Sequence, residues 1–421
     1  MKTLLLICLT FSITHKLQGE VWRAKKEWST KWEKKYSSWM KSSRVHTQIF
    51  TSKKSRYYGI NADCADAAYA LRAIFALENS LPFKVLNPSN YSSGKKYLSN
   101  ETDKFDSAGS SNKRLVAMIN YLGSQVGTEH LAIHDTYPVS IASINAGTIF
   151  AYKVKGDDGN YARHAYNIKN VNSFGEFDLL YSSQAIAKAN LNMVYKKSRL
   201  FTFPPLIHHW GFKRFKWPRL HHVKNSSLPS SFHSSNEQYT LAKKMNARSF
   251  FRHVSSSLKT GKDSAEGLLG RKFNTVCSEA RERIAYVNQG YSHHIKTGQK
   301  CMSYSDYDAY STPLRDKTLR YYFLDLKDAV SEVIESGKQN QVNHSLMQMA
   351  KAIIYGYSKF SSSDYKLKKY CSIKYSSNRK IHLAELYKRV MAGRISSHPN
   401  DSLGARWGEP GANYTKCKKW Y

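Results

Sequence analysis

One cysteine stands between two aspartates in Asn61-Ala-Asp-Cys-Ala-Asp-Ala-Ala-Tyr-Ala-Leu-Arg-Ala-Ile-Phe-Ala-Leu77. A polar, glycine-containing segment gives way there to an Ala/Leu-rich run, so Cys64 falls at the head of a largely buried helix. A helix N-terminus carries partial positive charge and unsatisfied N–H groups, and a thiol placed there is biased toward the nucleophilic thiolate. Asp63 suits the N-cap position. Asp63 and Asp66 also oppose a thiolate, so a base is required. His164 opens an alternating run, Arg163-His164-Ala165-Tyr166-Asn167-Ile168-Lys169-Asn170-Val171, from which an imidazole could reach a helix N-terminus. A buried inert cysteine and a satisfied or surface histidine, one of sixteen in the chain, are the bland counterparts of these assignments.

The elements that must position these groups are legible in order. After the Cys64 helix comes a Ser/Asn/Lys/Gly-rich loop over 87–112, then a helix from about Asn112 to Gly123. The texture then changes to strands. Ala146-Gly147-Thr148-Ile149-Phe150-Ala151-Tyr152-Lys153-Val154 is a turn feeding a strand, and Gly156-Asp157-Asp158-Gly159 marks a turn. The His164 strand follows, Ser173-Phe174-Gly175 turns again, and Glu176 to Ser183 forms a third strand. The order is helix, then antiparallel meander.

These motifs together resemble the NlpC-type endopeptidases of the papain-like cysteine peptidase superfamily: Asp-Cys at a helix head, a Gly-Thr-Ile-Phe strand, a strand opening His-Ala-Tyr, and a third strand after a glycine turn. The transglutaminase-like branch is similar in its His-Ala-aromatic strand. The resemblance covers roughly residues 55–185. It implies Cys64 as nucleophile, His164 as base and a polar third group on the following strand. Asp178 is preferred for that group, with Ser182, Ser183 and Gln184 as substitutes; Asp63 or Asp66 could also approach His164. The chain departs from the family where Ala65-Asp66 follows the cysteine and in its long gap before His164.

Composition sets the compartment and partners. Residues 1–19 have the form of a secretory signal, and no later stretch is long and apolar enough to span a bilayer. Beyond Cys8 there remain Cys64 and four cysteines in the second half, Cys277, Cys301, Cys371 and Cys417. That even number suits two disulfides, with three connectivities open. Lys and Arg total 65 against 31 Asp and Glu, a net charge of +34. In an exported protein this favours anionic cell-envelope polymers over nucleic acid.

Glu20 to Lys41 places Trp28, Trp32, Tyr36 and Trp39 at helical spacing among Lys25, Lys26, Lys31, Lys34, Lys35 and Lys41. This basic amphipathic helix, assigned to 20–45, could lie on an anionic membrane surface. Docking of its stripe on the protein's own body is the better-founded alternative. Residues 198–236 are aromatic, basic, proline-broken and serine-rich, and are expected to form an extended linker or wrapping arm. Its Trp210, Phe212, Phe215 and Trp217 would pack on a neighbour or offer stacking surfaces to sugar rings. His208/His209 and His221/His222 lack acidic or cysteine companions at ligand spacing, so no metal is expected, nor any cofactor. From 237 onward the pattern is helical: 238–258, 265–288, a helix from Pro313, His344 to Tyr357, and a last one from about Ser377 to Gly393. The tail holds Cys417.

The expected fold is therefore α+β: a papain-like domain over 46–197, with the cysteine helix packed on an antiparallel sheet bearing the histidine, followed by an all-α, disulfide-stapled domain over 237–421. Two functions follow. One is a secreted cysteine peptidase or amidase acting on envelope peptide such as peptidoglycan stems, with acyl transfer to an amine as its variant. The other is a non-catalytic envelope-binding or structural protein on a degenerate papain-like domain.

Overall fold

In the computed structural model, residues 19–87, 96–155, 161–182, 192–356 and 371–420 are described. The signal segment up to residue 18, part of the 87–112 loop, the 156–159 turn, Ser183 and Gln184 lie outside them. The first unit is built on a six-stranded antiparallel sheet in the order β3-β8-β4-β5-β6-β7. Its strands are β3 (Thr136–Pro138), β4 (Ile149–Lys155), β5 (Tyr161–Val171), β6 (Phe177–Tyr181), β7 (Val194–Arg199) and β8 (Gly211–Phe215). The meander β4-β5-β6 is the expected one. A separate hairpin, β1 (Lys84–Leu86) with β2 (Tyr97–Ser99), precedes it.

Helix α2 (Cys64–Glu78) packs across β5 on one face of the sheet. Its alanines 65, 67, 68, 70, 73 and 76 are completely buried. Methyl-sized side chains let a helix lie close to a sheet only where the sheet also presents small residues, and on β5 it presents Ala165, buried in the same core as the α2 alanines. Helix α3 (Ser111–Gln125) lies alongside α2. The opposite face is aromatic. Phe150 stacks on Phe201 at 3.9 Å and touches Phe212 at 4.7 Å and Phe251 at 5.8 Å. Each such ring, taken from water, contributes about 1.5–3 kcal/mol.

One expectation is met and two change. Helix α1 (Thr30–Lys41) docks its stripe inward: Trp28, Tyr36 and Trp39 are buried, and Phe75 of α2 meets them at 5.8, 5.2 and 5.6 Å. The aromatic face that membrane contact would have used is occupied by the protein itself. The 198–236 segment is also not a free linker, because it supplies β8, which lies between β3 and β4. Gly211, at φ +101°, has no room for a side chain: a Cβ would lie 2.2 Å from Gln238 Oε1, which instead accepts from the Phe212 N–H at 2.8 Å. The first core accordingly runs from Val21 to Val254, beyond 46–197 at both ends.

The second core spans Ala265 to Trp407. The helices Ala265–Lys296, Pro313–Glu335, His344–Tyr355 and Leu383–Met391 build it. It is not all-α. Strands β9 (Ser372–Lys374) and β10 (Lys380–His382) pair so that Ile373 faces Ile381, both buried. The helix expected from Ser377 therefore starts at Leu383, and a short further helix, Leu403–Arg406, follows it. The disulfides are Cys277–Cys371 and Cys301–Cys417, the second holding the tail, and Cys64 is free. Among the described residues no helix is long and apolar enough to cross a membrane.

Candidate functional site

Cys64 is the first residue of α2, and the helix start is built as its sequence requires. Asp63 accepts hydrogen bonds from the Ala65 and Asp66 N–H groups at 2.8 and 3.0 Å, and Asp66 accepts from the Asp63 N–H at 3.0 Å. This reciprocal cap fixes the entry of the chain. The thiol lies 3.3 Å from Thr128 Oγ1 and receives the Ala165 backbone N–H. Burial, then the charge of Asp63, pushes it up to about 11. Cys64 is therefore a protonated thiol at neutral pH, because desolvation outweighs the helix N-terminus. Burial, followed by the neighbouring Asp63 charge, likewise lifts the Asp66 carboxyl to about 8.

His164 is one residue from Ala165 and points the other way. Successive side chains of a strand alternate between faces. With the Ala165 backbone against the thiol, the imidazole goes to the opposite face, among the rings of Tyr166, Tyr181 and Tyr152 at 4.5, 5.4 and 5.9 Å. Burial there, then the Arg315 guanidinium from the helical half, pushes it down to about 3. His164 is thus neutral and separated from Cys64 by the sheet itself.

Asp178 is elsewhere again. It accepts from the Ser198 N–H at 3.0 Å, the Tyr195 hydroxyl at 3.3 Å and Asn170 Nδ2 at 3.3 Å. The register pairs it with Asn170, roughly 20 Å along β5 from His164 at about 3.3 Å per residue. Ser182 is buried. Asp63 and Asp66 stay on the α2 side. The structure brings no two of Cys64, His164 and Asp178 into side-chain contact, so the expected triad is not assembled.

What does gather on the α2 side is a buried polar cluster that the sequence reading missed. Asp135, fully buried, accepts from the Tyr69 hydroxyl at 2.6 Å and the Leu86 N–H at 2.8 Å, with His130 Nε2 at 3.5 Å and His221 Nδ1 at 3.8 Å. Burial lifts Asp135 to about 7 and lowers His130 to about 4 and His221 to about 3. Only the recurrence of His130, His134 and Asp135 beside a buried helix hinted at it. Among the described residues no group of three or more His, Cys, Asp or Glu is placed to hold a metal.

The cluster makes a pH prediction. The Asp135 carboxyl is raised in the folded state, so its contribution is present below the unfolded value near 4 and is lost as pH rises through about 7. Asparagine keeps the shape without ionising, its Oδ1 accepting the Leu86 N–H while its amide N–H turns to the Tyr69 hydroxyl oxygen. Asp135→Asn is expected to gain on the wild type as pH rises from 5 to 8, by up to about 2.5 kcal/mol, in denaturant unfolding at the two pH values. Parallel pH profiles would contradict this.

No protein-family model, curated protein or solved structure matches this chain. The fold and site above define an α+β protein with a six-stranded antiparallel sheet and two disulfides, and functional inference rests on its own residues.

Proposed function

We propose that the chain is a non-catalytic binding protein for anionic polymers of the cell envelope, acting in an oxidising compartment. The observation that carries this reading is the surface of the N-terminal segment. With its aromatic stripe turned inward, Lys25, Lys26, Lys31, Lys34, Lys35 and Lys41 are all exposed, and Glu27 is the one exposed carboxylate between residues 20 and 41. Docking on α2 holds these cations in a fixed array, so a polyanion meets them without first ordering a flexible arm. The +34 net charge extends the same field over the molecule. The two disulfides suit an exported protein.

A cysteine peptidase or amidase, or its acyl-transfer variant, would need the Cys64 thiol and an imidazole in contact, and nothing in the site supports that reading. The two functions separate in one set of variants. Lys31, Lys35 and Lys41 changed together to Glu is expected to weaken binding to purified teichoic acid or lipopolysaccharide tenfold or more, whereas Cys64→Ala is expected to bind as the wild type. Turnover of any wall peptide that is lost in Cys64→Ala would overturn the reading.

A further inference from the structure

A cavity of about 270 Å³ opens beside α1, walled by α1, β3, β8 and the segments around residues 142–147 and 231–233. Glu33 is its one lining carboxylate, and both its oxygens are occupied. Oε1 accepts from Arg72 Nη2 at 2.5 Å and Trp217 Nε1 at 2.8 Å, and Oε2 accepts from Arg72 Nη1 at 3.0 Å. Glu33 and Arg72 therefore neutralise each other. Two cations are left over. Arg214 donates to the Ser143 carbonyl and to the Tyr137 hydroxyl, and Lys34 is exposed at the rim. Among the described residues neither forms an ion pair. A guanidinium has five N–H donors in a planar fork, so Arg214 retains donors for a carboxylate.

The remaining wall is aromatic: Tyr36, Phe215 and Trp217 line it. Gly147, at φ +91°, stands against Tyr36 so closely that a Cβ would lie 2.8 Å from the ring. Any other residue there would displace Tyr36 from the cavity wall. The volume is just below the roughly 300–1,000 Å³ of pockets that take drug-sized ligands, so it holds one ring-sized unit rather than a run of polymer.

A ring-sized space with an aromatic wall and two unpaired cations selects a ring that carries an acid. We propose that this cavity is a subsite for a single acidic sugar, its apolar ring face on the aromatic wall and its carboxylate on Arg214 and Lys34. The proposal deepens the polymer-binding reading and rests on it for its biological source, because an acidic sugar is the natural end or branch unit of such a polymer.

The test is calorimetric or saturation-transfer NMR titration of the full chain with glucuronic acid, with glucose and acetate as controls. Glucuronic acid is expected to bind at least about tenfold more tightly than either control, and Arg214→Gln to lose about tenfold or more of that affinity. Lys34→Gln, at an exposed helix position that does not endanger folding, is expected to weaken it in the same direction. Equal binding of glucose removes the role of the acid. Equal binding of acetate removes the role of the ring. No binding, or binding indifferent to both substitutions, removes the site. Wild-type binding to whole polymer is measured separately: if it fails while glucuronic acid binds, the polymer reading falls and the subsite stands, and the reverse result removes the subsite alone.

Discussion

At about pH 7.5 Cys64 is expected to be alkylated by iodoacetamide roughly 10²–10³-fold more slowly than a free cysteine, and His164→Ala is expected to leave that rate unchanged. A thiol raised to about 11 holds a thiolate fraction lower by that factor than one at the usual ~8.5. Burial adds to the slowing. His164 has no part in it, since its ring faces the tyrosines across the sheet. Intact-mass kinetics from pH 6 to 10 would read both. Fast alkylation with a lowered apparent pKa that is lost in His164→Ala would mean that the two groups meet after all, and the peptidase reading would return.

The second large effect belongs to Arg72, which joins α2 to the N-terminal segment. Its guanidinium lies 3.3 Å over the Trp28 ring and 4.8 Å from Tyr36, and it holds both oxygens of Glu33. The Arg72 side chain is 4% exposed and that of Glu33 22%. Arg72→Ala would leave Glu33 with Trp217 alone and an empty slot between aromatic rings. The expected cost is about 3–5 kcal/mol in urea unfolding, the usual result of leaving one partner of a mostly buried pair uncompensated. Adding Glu33→Gln should return part of that loss, because the stranded charge goes. A single variant within about 1 kcal/mol of wild type, or a double variant no better than the single, would show that α1 is not anchored this way.

Much of the fold was legible because the signals that specify it are local. Asp63, the alanine run and the alternation of β4 to β6 each carry their own period or cap, and they appear where expected. The four cysteines of the second half pair with one another and leave Cys64 free. Strand β8 was hidden because both its faces are covered: Phe212 enters the aromatic layer while Lys213, on the other side, is also buried. A lysine in that place removes the alternation by which a strand is recognised.

The candidate site failed on a single residue of register. Arg163-His164-Ala165 puts a histidine at the expected place, but a shift of one residue exchanges the faces of a strand. The sequence held a clue to the correct face. An alanine-rich helix needs a small residue beneath it, and Ala165 supplies one, so His164 and Tyr166 must point away. The polar cavity beside α1 had no such clue, since Glu33, Arg72, Arg214 and Trp217 come from segments far apart in the chain.

The affinity of the intact protein for an anionic envelope polymer as a function of salt tests polymer binding most directly. Binding through a fixed array of exposed lysines predicts that affinity falls about tenfold or more between roughly 50 and 200 mM salt, and that the Lys31, Lys35 and Lys41 to Glu variant starts weaker and falls less steeply. Salt-independent binding, or a variant that follows the wild-type curve, would contradict it.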